Sequence, residues 1–117
     1  MAEKIDFKLD EESFFKKHQQ NQNMPRNDAL KQIMLKRIMR DFEPGRVYSE
    51  LKVNEIINKY FKDFALIRRE LVNFRYMGRD SINDKYWVIK KELLKEDFMK
   101  ITRLKQHACE LGLFRIA

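Results

Sequence analysis

The apolar positions of this chain change period several times, and the changes mark out its elements. Near the N-terminus Ile5, Phe7 and Leu9 alternate with Asp6 and Lys8, which predicts a short strand or an extended arm lying on the domain. Asp10 and the acids Glu11 and Glu12 then open a short helix, expected to run to about Gln19 and to be anchored by Phe14 and Phe15. The polar stretch from His18 to Asn27 reads as a linker. From Asp28, the expected N-cap, to about Asp41, apolar residues recur at Leu30, Ile33, Met34, Leu35, Ile38 and Met39. They cover much of a helix circumference, which predicts packing on two sides, against the N-terminal arm or a second subunit.

A turn at Glu43-Pro44-Gly45-Arg46 leads to a brief strand at Val47-Tyr48. Ser49 is expected to cap a helix from Glu50 to about Phe61, with Val53, Ile56, Ile57 and Tyr60 inward. Asp63 is expected to cap the next helix, Phe64 to about Arg75, whose core stripe is Phe64, Ile67, Leu71 and Phe74. Two strand-like runs follow, Met77-Gly78-Arg79 and Lys85 to Ile89, around a turn at 81–84. A final helix is expected over Glu92–Glu110, stopped by Gly112, with an apolar tail at 113–116 that must dock.

This order predicts an α+β, mostly helical fold: a winged helix-turn-helix with a two-stranded wing and helical extensions at both ends. Residues 1–27 form the N-terminal arm and short helix, 28–90 the winged domain, and 91–117 the C-terminal helix, all in one globular unit. The 117 residues are 44% hydrophobic with 9 Phe, enough for a real core. No apolar run approaches the roughly 18 residues that span a membrane. The opening MAEKIDFKLDEE has no apolar core of a secretion signal, and the single cysteine, Cys109, excludes an intrachain disulfide. A cytoplasmic setting is expected.

The central run resembles a bacterial family of domains of unknown function. The matching residues are Phe42-Glu43-Pro44-Gly45, Tyr48-Ser49, Val53-Asn54-Glu55, Asp63, the run from Leu66 to Val72, Arg79 and Tyr86-Trp87. Members of that family occur alone or C-terminal to ArsR-type helix-turn-helix domains in candidate transcriptional regulators. The resemblance covers about Met24 to Trp87 and implies a winged-helix-like fold in a regulatory setting. It implies no established activity, and residues 90–117 lie outside it.

Charge sharpens the picture. The net charge is +7, and residues 1–27 carry five basic and five acidic side chains, so the whole excess lies in 28–117. Such a basic domain suits a polyanion, because each phosphate contact releases counterions. On the helix starting at Phe64, at about 100° per residue, Ala65, Leu66, Arg69, Asn73 and Tyr76 fall opposite the core stripe, flanked by Arg68 and Arg75. Arginine can fork onto guanine and asparagine onto adenine in a major groove. Arg79 and Lys85 on the wing, and Arg46 before the first strand, are expected to hold phosphates. The nucleic-acid-binding residues are therefore Arg68, Arg69, Asn73, Arg75, Arg79, Lys85 and Arg46, and double-stranded DNA is the expected partner.

A different reading uses the same residues. Leu66 and Val72 sit off the core stripe, where a protein partner or the N-terminal arm would cover them. Arg68 and Arg69 would then be structural, bonded to Asp63, Glu55 or a carbonyl. The alternative function is a protein-interaction or dimerisation module. Tyr86 and Trp87 point to opposite sides of their strand, one toward the core. Basic residues surround the apolar positions of the final helix, which is expected to pair with its symmetry mate in a homodimer; the alternative is that it covers its own domain. His18 and His107 lack partners at metal-binding spacing, and the carboxylates form no recognisable catalytic pattern. No enzyme activity, cofactor, metal site or membrane partner is expected.

Overall fold

A computed structural model describes residues 3–114. In chain order the helices are α1 (Glu11–Asn21), α2 (Asp28–Ile38), α3 (Glu50–Asn58), α4 (Phe64–Asn73), α5 (Lys95–Lys100) and α6 (Thr102–Glu110). The strands are β1 (Val47–Tyr48), β2 (Met77–Asp80) and β3 (Lys85–Val88), and a 3-10 turn, Met39–Asp41, continues α2. The fold is α+β and mostly helical, with one antiparallel sheet in the order β1-β3-β2. None of the described helices is long and apolar enough to cross a membrane. Residues 3–34 with 93–114 form one compact unit, and Leu35–Glu92 another.

In the first unit the N-terminal segment is extended. Lys4 bridges Leu94, and the Lys95 amide donates to the Glu3 carbonyl at 2.8 Å. Ile5 and Phe7 are buried, with Phe7 against Phe98 at 6.3 Å between ring centroids. Asp10 caps α1 through the Ser13 amide, and that hydrogen bond holds its carboxyl below the ordinary carboxylate range. The start of α2 differs from expectation. Asn27, not Asp28, is the cap: its Oδ1 accepts from the amides of Ala29 (2.8 Å) and Leu30 (3.1 Å). Asp28 is the first helical residue. Its amide donates to His107 Nδ1 at 2.7 Å, and its carboxylate lies 3.3 Å from Arg103. Sequence spacing could not reveal a partner 79 residues away.

The single helix expected over Glu92–Glu110 is two helices. Ile101 is extended (φ −112, ψ 109) and separates α5 from α6. Asp97 accepts from the Leu94 amide at 2.8 Å, which starts α5 at Lys95 rather than Glu92. The break has a packing reason. Phe98 and Leu104 are both fully buried. Six residues turn a continuous helix by about 240°, so a straight rod would bury only one of them. Gly112 ends α6 at φ +73, with the Leu113 amide returning to the Ala108 carbonyl. Of the apolar tail, Phe114 packs edge-on to Phe98, while Arg115 and Ile116 lie outside the described residues.

The second unit holds the sheet, α3 and α4. Ser49 caps α3 through the Lys52 amide, and Asp63 caps α4 through Leu66, both as expected. Val53, Ile56, Ile57, Ile67 and Leu71 are buried between these helices and the sheet's inner face, where Tyr48 and Tyr86 lie side by side. The carbonyls of Met39 and Phe42 accept from the Lys91 ammonium, which closes the end of the 3-10 turn. Along α2 and that turn, Ala29, Ile33, Met34, Leu35, Ile38 and Met39 are all buried within the single chain. The wide apolar surface needs no second subunit to cover it.

Candidate nucleic-acid interface

Helix α4 owes its orientation to its stripe. Burying Ile67 and Leu71 turns Arg69 and Asn73 outward, with Arg68 and Val72 at the margin. Strand β2 runs alongside, and alternation puts Arg79 on the same sheet face as its register partner Tyr86. These placements create a cleft of about 230 Å³ lined by Arg68, Arg69, Val72, Asn73, Arg79 and Tyr86. Four of the seven residues singled out from the sequence therefore share one site. The other three, Arg46, Arg75 and Lys85, are exposed and lie outside it.

The three cleft arginines are held differently. Arg68 is mostly covered. Its guanidinium donates to Asn54 Oδ1 at 2.5 Å, and its Nε lies 3.5 Å from Glu50 Oε1. Arg79 is nearly half exposed. Its Nη2 is 3.8 Å from the same carboxylate oxygen, and its guanidinium sits 5.8 Å from the Tyr86 ring centroid. Arg69 is exposed, and its Nε reaches back to the Ala65 carbonyl at 3.4 Å. The Arg68 and Arg69 partners expected from sequence were Asp63, Glu55 or a carbonyl. A carbonyl holds for Arg69. For Arg68 the partners are Glu50 and Asn54, which share a face of α3 four residues apart. Glu55, about 100° further round, pairs with Lys52 at 3.4 Å, and Asp63 is occupied as the α4 cap.

Glu50 and Tyr86 are the site residues that sequence reasoning missed. The Tyr86 hydroxyl donates to Glu50 Oε1 at 2.8 Å. Burial, then this carboxylate, pushes its pKa above the ordinary phenol value. At the first position of α3, Glu50 looks like any acid that complements a helix dipole. Only the packing of α4 and the hairpin onto α3 gives it three partners, Arg68 from α4 and Arg79 and Tyr86 from the hairpin. The hairpin turn also contributes Asp84, whose carboxylate accepts from the Glu50 amide at 3.0 Å. At the tip, Asn83 holds the Asp80 carboxyl below its ordinary value.

Two further placements differ from or refine the sequence reading. Tyr76 is fully buried, not outward, because α4 ends at Asn73 and Arg75 turns left-handed (φ +66). The period used to place Tyr76 had already stopped. Leu66 is exposed (38%) and Val72 half-buried in the cleft, so the outer face of α4 is open. On the opposite side of the sheet Trp87 lies flat on Gly78, its register partner. A Cβ at Gly78 would stand 2.3 Å from the indole. Val47, Trp87 and Ile89 form an exposed apolar edge there.

Among the described residues no group of three or more His, Cys, Asp or Glu side chains is placed to hold a metal ion. No curated protein and no solved structure matches the chain. A family model described as "Uncharacterized protein conserved in bacteria (DUF2087)" matches residues 21–88, more than half of the length.

Proposed function

From the premise that the chain belongs to the DUF2087 family of uncharacterised bacterial proteins, we propose that it is a non-enzymatic DNA-binding protein of the cytoplasm, acting in transcriptional regulation. The observation that carries this reading is the arginine-lined cleft between the open face of α4 and strand β2. The element order supports it. We read a strand, two helices joined by a five-residue connection, and a hairpin whose second strand pairs back to the first as a winged helix-turn-helix. In that reading α4 is the recognition helix and β2–β3 the wing. Asn73 and Arg75 face the major groove, and Arg79, Lys85 and Arg46, with Arg69 across the cleft from Arg79, contact the backbone. Arg68, covered and tied to α3, positions the helix rather than reading bases.

A salt series tests the proposal. With random-sequence duplex DNA, four phosphate contacts give a slope of about −3.6 in log K against log salt. The expected result is a steep slope that flattens by up to about 1.8 in the folded double variant Arg69→Ala/Arg79→Ala. No binding at low salt would overturn the reading.

One observation favours a second reading, a protein-interaction module that does not bind DNA. The apolar edge at Val47, Trp87 and Ile89 is about half exposed, as a docking surface would be. Loss of partner capture with Trp87→Ala, beside unchanged behaviour of the arginine variant, would support it.

A further inference from the structure

An anion stands behind the lining of the cleft. Glu50 Oε1 is the common neighbour of three lining residues, the Tyr86 hydroxyl and the guanidinium groups of Arg68 and Arg79. The three contacts are unequal. The Tyr86 hydrogen bond is short, at 2.8 Å, and fixes the carboxylate from below. The guanidinium distances, 3.5 Å to Arg68 and 3.8 Å to Arg79, are ion-pair distances. Both are longer than the roughly 2.7–2.9 Å of a charge-assisted hydrogen bond. Glu50 therefore compensates these arginines without saturating their donors. Arg79 is nearly half exposed, and Arg69 beside it has, among the described residues, only a backbone carbonyl as partner.

Resting on the DNA-binding reading above, we propose that this cleft seats a backbone phosphate of duplex DNA, and that Glu50 is the resident competitor that limits how tightly Arg79 and Arg69 hold it. The geometry of a groove-reading helix beside a wing supports this. An element in the major groove and one in the adjacent minor groove are separated by a single phosphodiester strand, and the cleft lies between α4 and β2. A phosphate arriving there meets Arg69, Arg79 and the Asn73 amide. It must share Arg79 with a carboxylate that cannot withdraw, because Tyr86 and the first turn of α3 fix it. An arginine already compensated by Glu50 neutralises less of the phosphate charge and displaces fewer of the counterions condensed on the DNA, so the wild-type contact contributes less than a full counterion. Glu50 thereby keeps non-specific affinity low and leaves more of the discrimination to base contacts.

Three variants test this in the full chain, using duplex DNA across a salt series with thermal melts as the folding control. Glu50→Gln keeps an acceptor for Tyr86 and removes the charge. Glu50→Asp keeps the charge but draws it back by one methylene. Glu55→Gln changes net charge as Glu50→Gln does, on the same helix, but Glu55 pairs with Lys52 and not with a residue lining the cleft. For Glu50→Gln the expected slope is steeper than wild type by about 0.9, a gain of roughly threefold in affinity for each fourfold drop in salt. Glu50→Asp should gain in the same direction by less, and Glu55→Gln should stay close to wild type. If wild type binds and both Glu50 variants fail to exceed Glu55→Gln, the role of Glu50 is overturned while the DNA-binding reading stands. If no protein of the set binds, both fall together. Should Glu50→Gln not fold, Glu50→Asp alone decides, since its net charge is unchanged and a gain can only come from the cleft.

Discussion

Arg75 shows how much one residue carries at the end of α4. Its amide donates to the Val72 carbonyl at 3.1 Å, and the Tyr76 amide to the Leu71 carbonyl at 2.9 Å. Together these make a complete Schellman cap, whose left-handed position is usually glycine. Here an arginine occupies it at φ +66, a conformation that costs an L-residue about 1–2 kcal/mol. Arg75→Gly should therefore raise stability by about 1 kcal/mol, read as a higher melting temperature. If Arg75 faces DNA as proposed, the same variant binds more weakly despite being more stable. A variant that is stabilised and binds unchanged would remove Arg75 from the interface. Strain retained at an exposed arginine is what a functional position predicts, because nothing in the packing requires that side chain.

At the level of elements, the hairpin is a two-sided object. Its inner face carries Tyr86 and Arg79 onto α3, and its outer face carries Trp87 over Gly78. The outer contact leaves no room for a side chain at residue 78. Gly78→Ala would force the indole to lift or the strands to part, a cost of about 1–3 kcal/mol. Trp87 is the only tryptophan, so its emission should shift to the red in the variant and report the displacement directly. An unchanged spectrum and melting temperature would show that the strands adjust without moving the ring. Because Arg79 and Tyr86 are the neighbouring register pair, the same variant should disturb the cleft and weaken DNA binding.

For the whole molecule, we propose that the homodimer expected from the sequence forms through the C-terminal segment, and the burial of its apolar residues narrows what such a dimer would use. Leu104 and Ala108, which form the stripe of α6, are fully buried in the single chain, as is Phe98 of α5. The apolar residues still exposed on this segment are Met99 and Leu111. Light scattering at micromolar concentration should give a dimer for wild type and a monomer for Met99→Glu/Leu111→Glu. The double variant should also lose the advantage of a duplex with two half-sites over one. A monomeric wild type would end this part of the proposal, and the segment would then serve only to complete its own unit.

Much of this architecture was legible without coordinates. The stripes of α3 and α4 have clean helical spacing, Ser49 and Asp63 start these helices by local chemistry, and Gly112 ends α6 in the same way. Period two marked the hairpin strands, and the stripe of α4 put Arg69 and Asn73 on its outer face. Signals of this kind act within a few residues, so a sequence displays them directly. What failed depended on contacts between distant segments. The break at Ile101 follows from burying both Phe98 and Leu104. The α2 start depends on His107, 79 residues away. Glu50 backs the cleft only because Tyr86 and Arg79, 36 and 29 positions further along, fold back onto α3. Local periodicity determined which faces point inward, while tertiary contacts decided which charges meet, because an ion pair or a cap needs proximity in space and none in sequence.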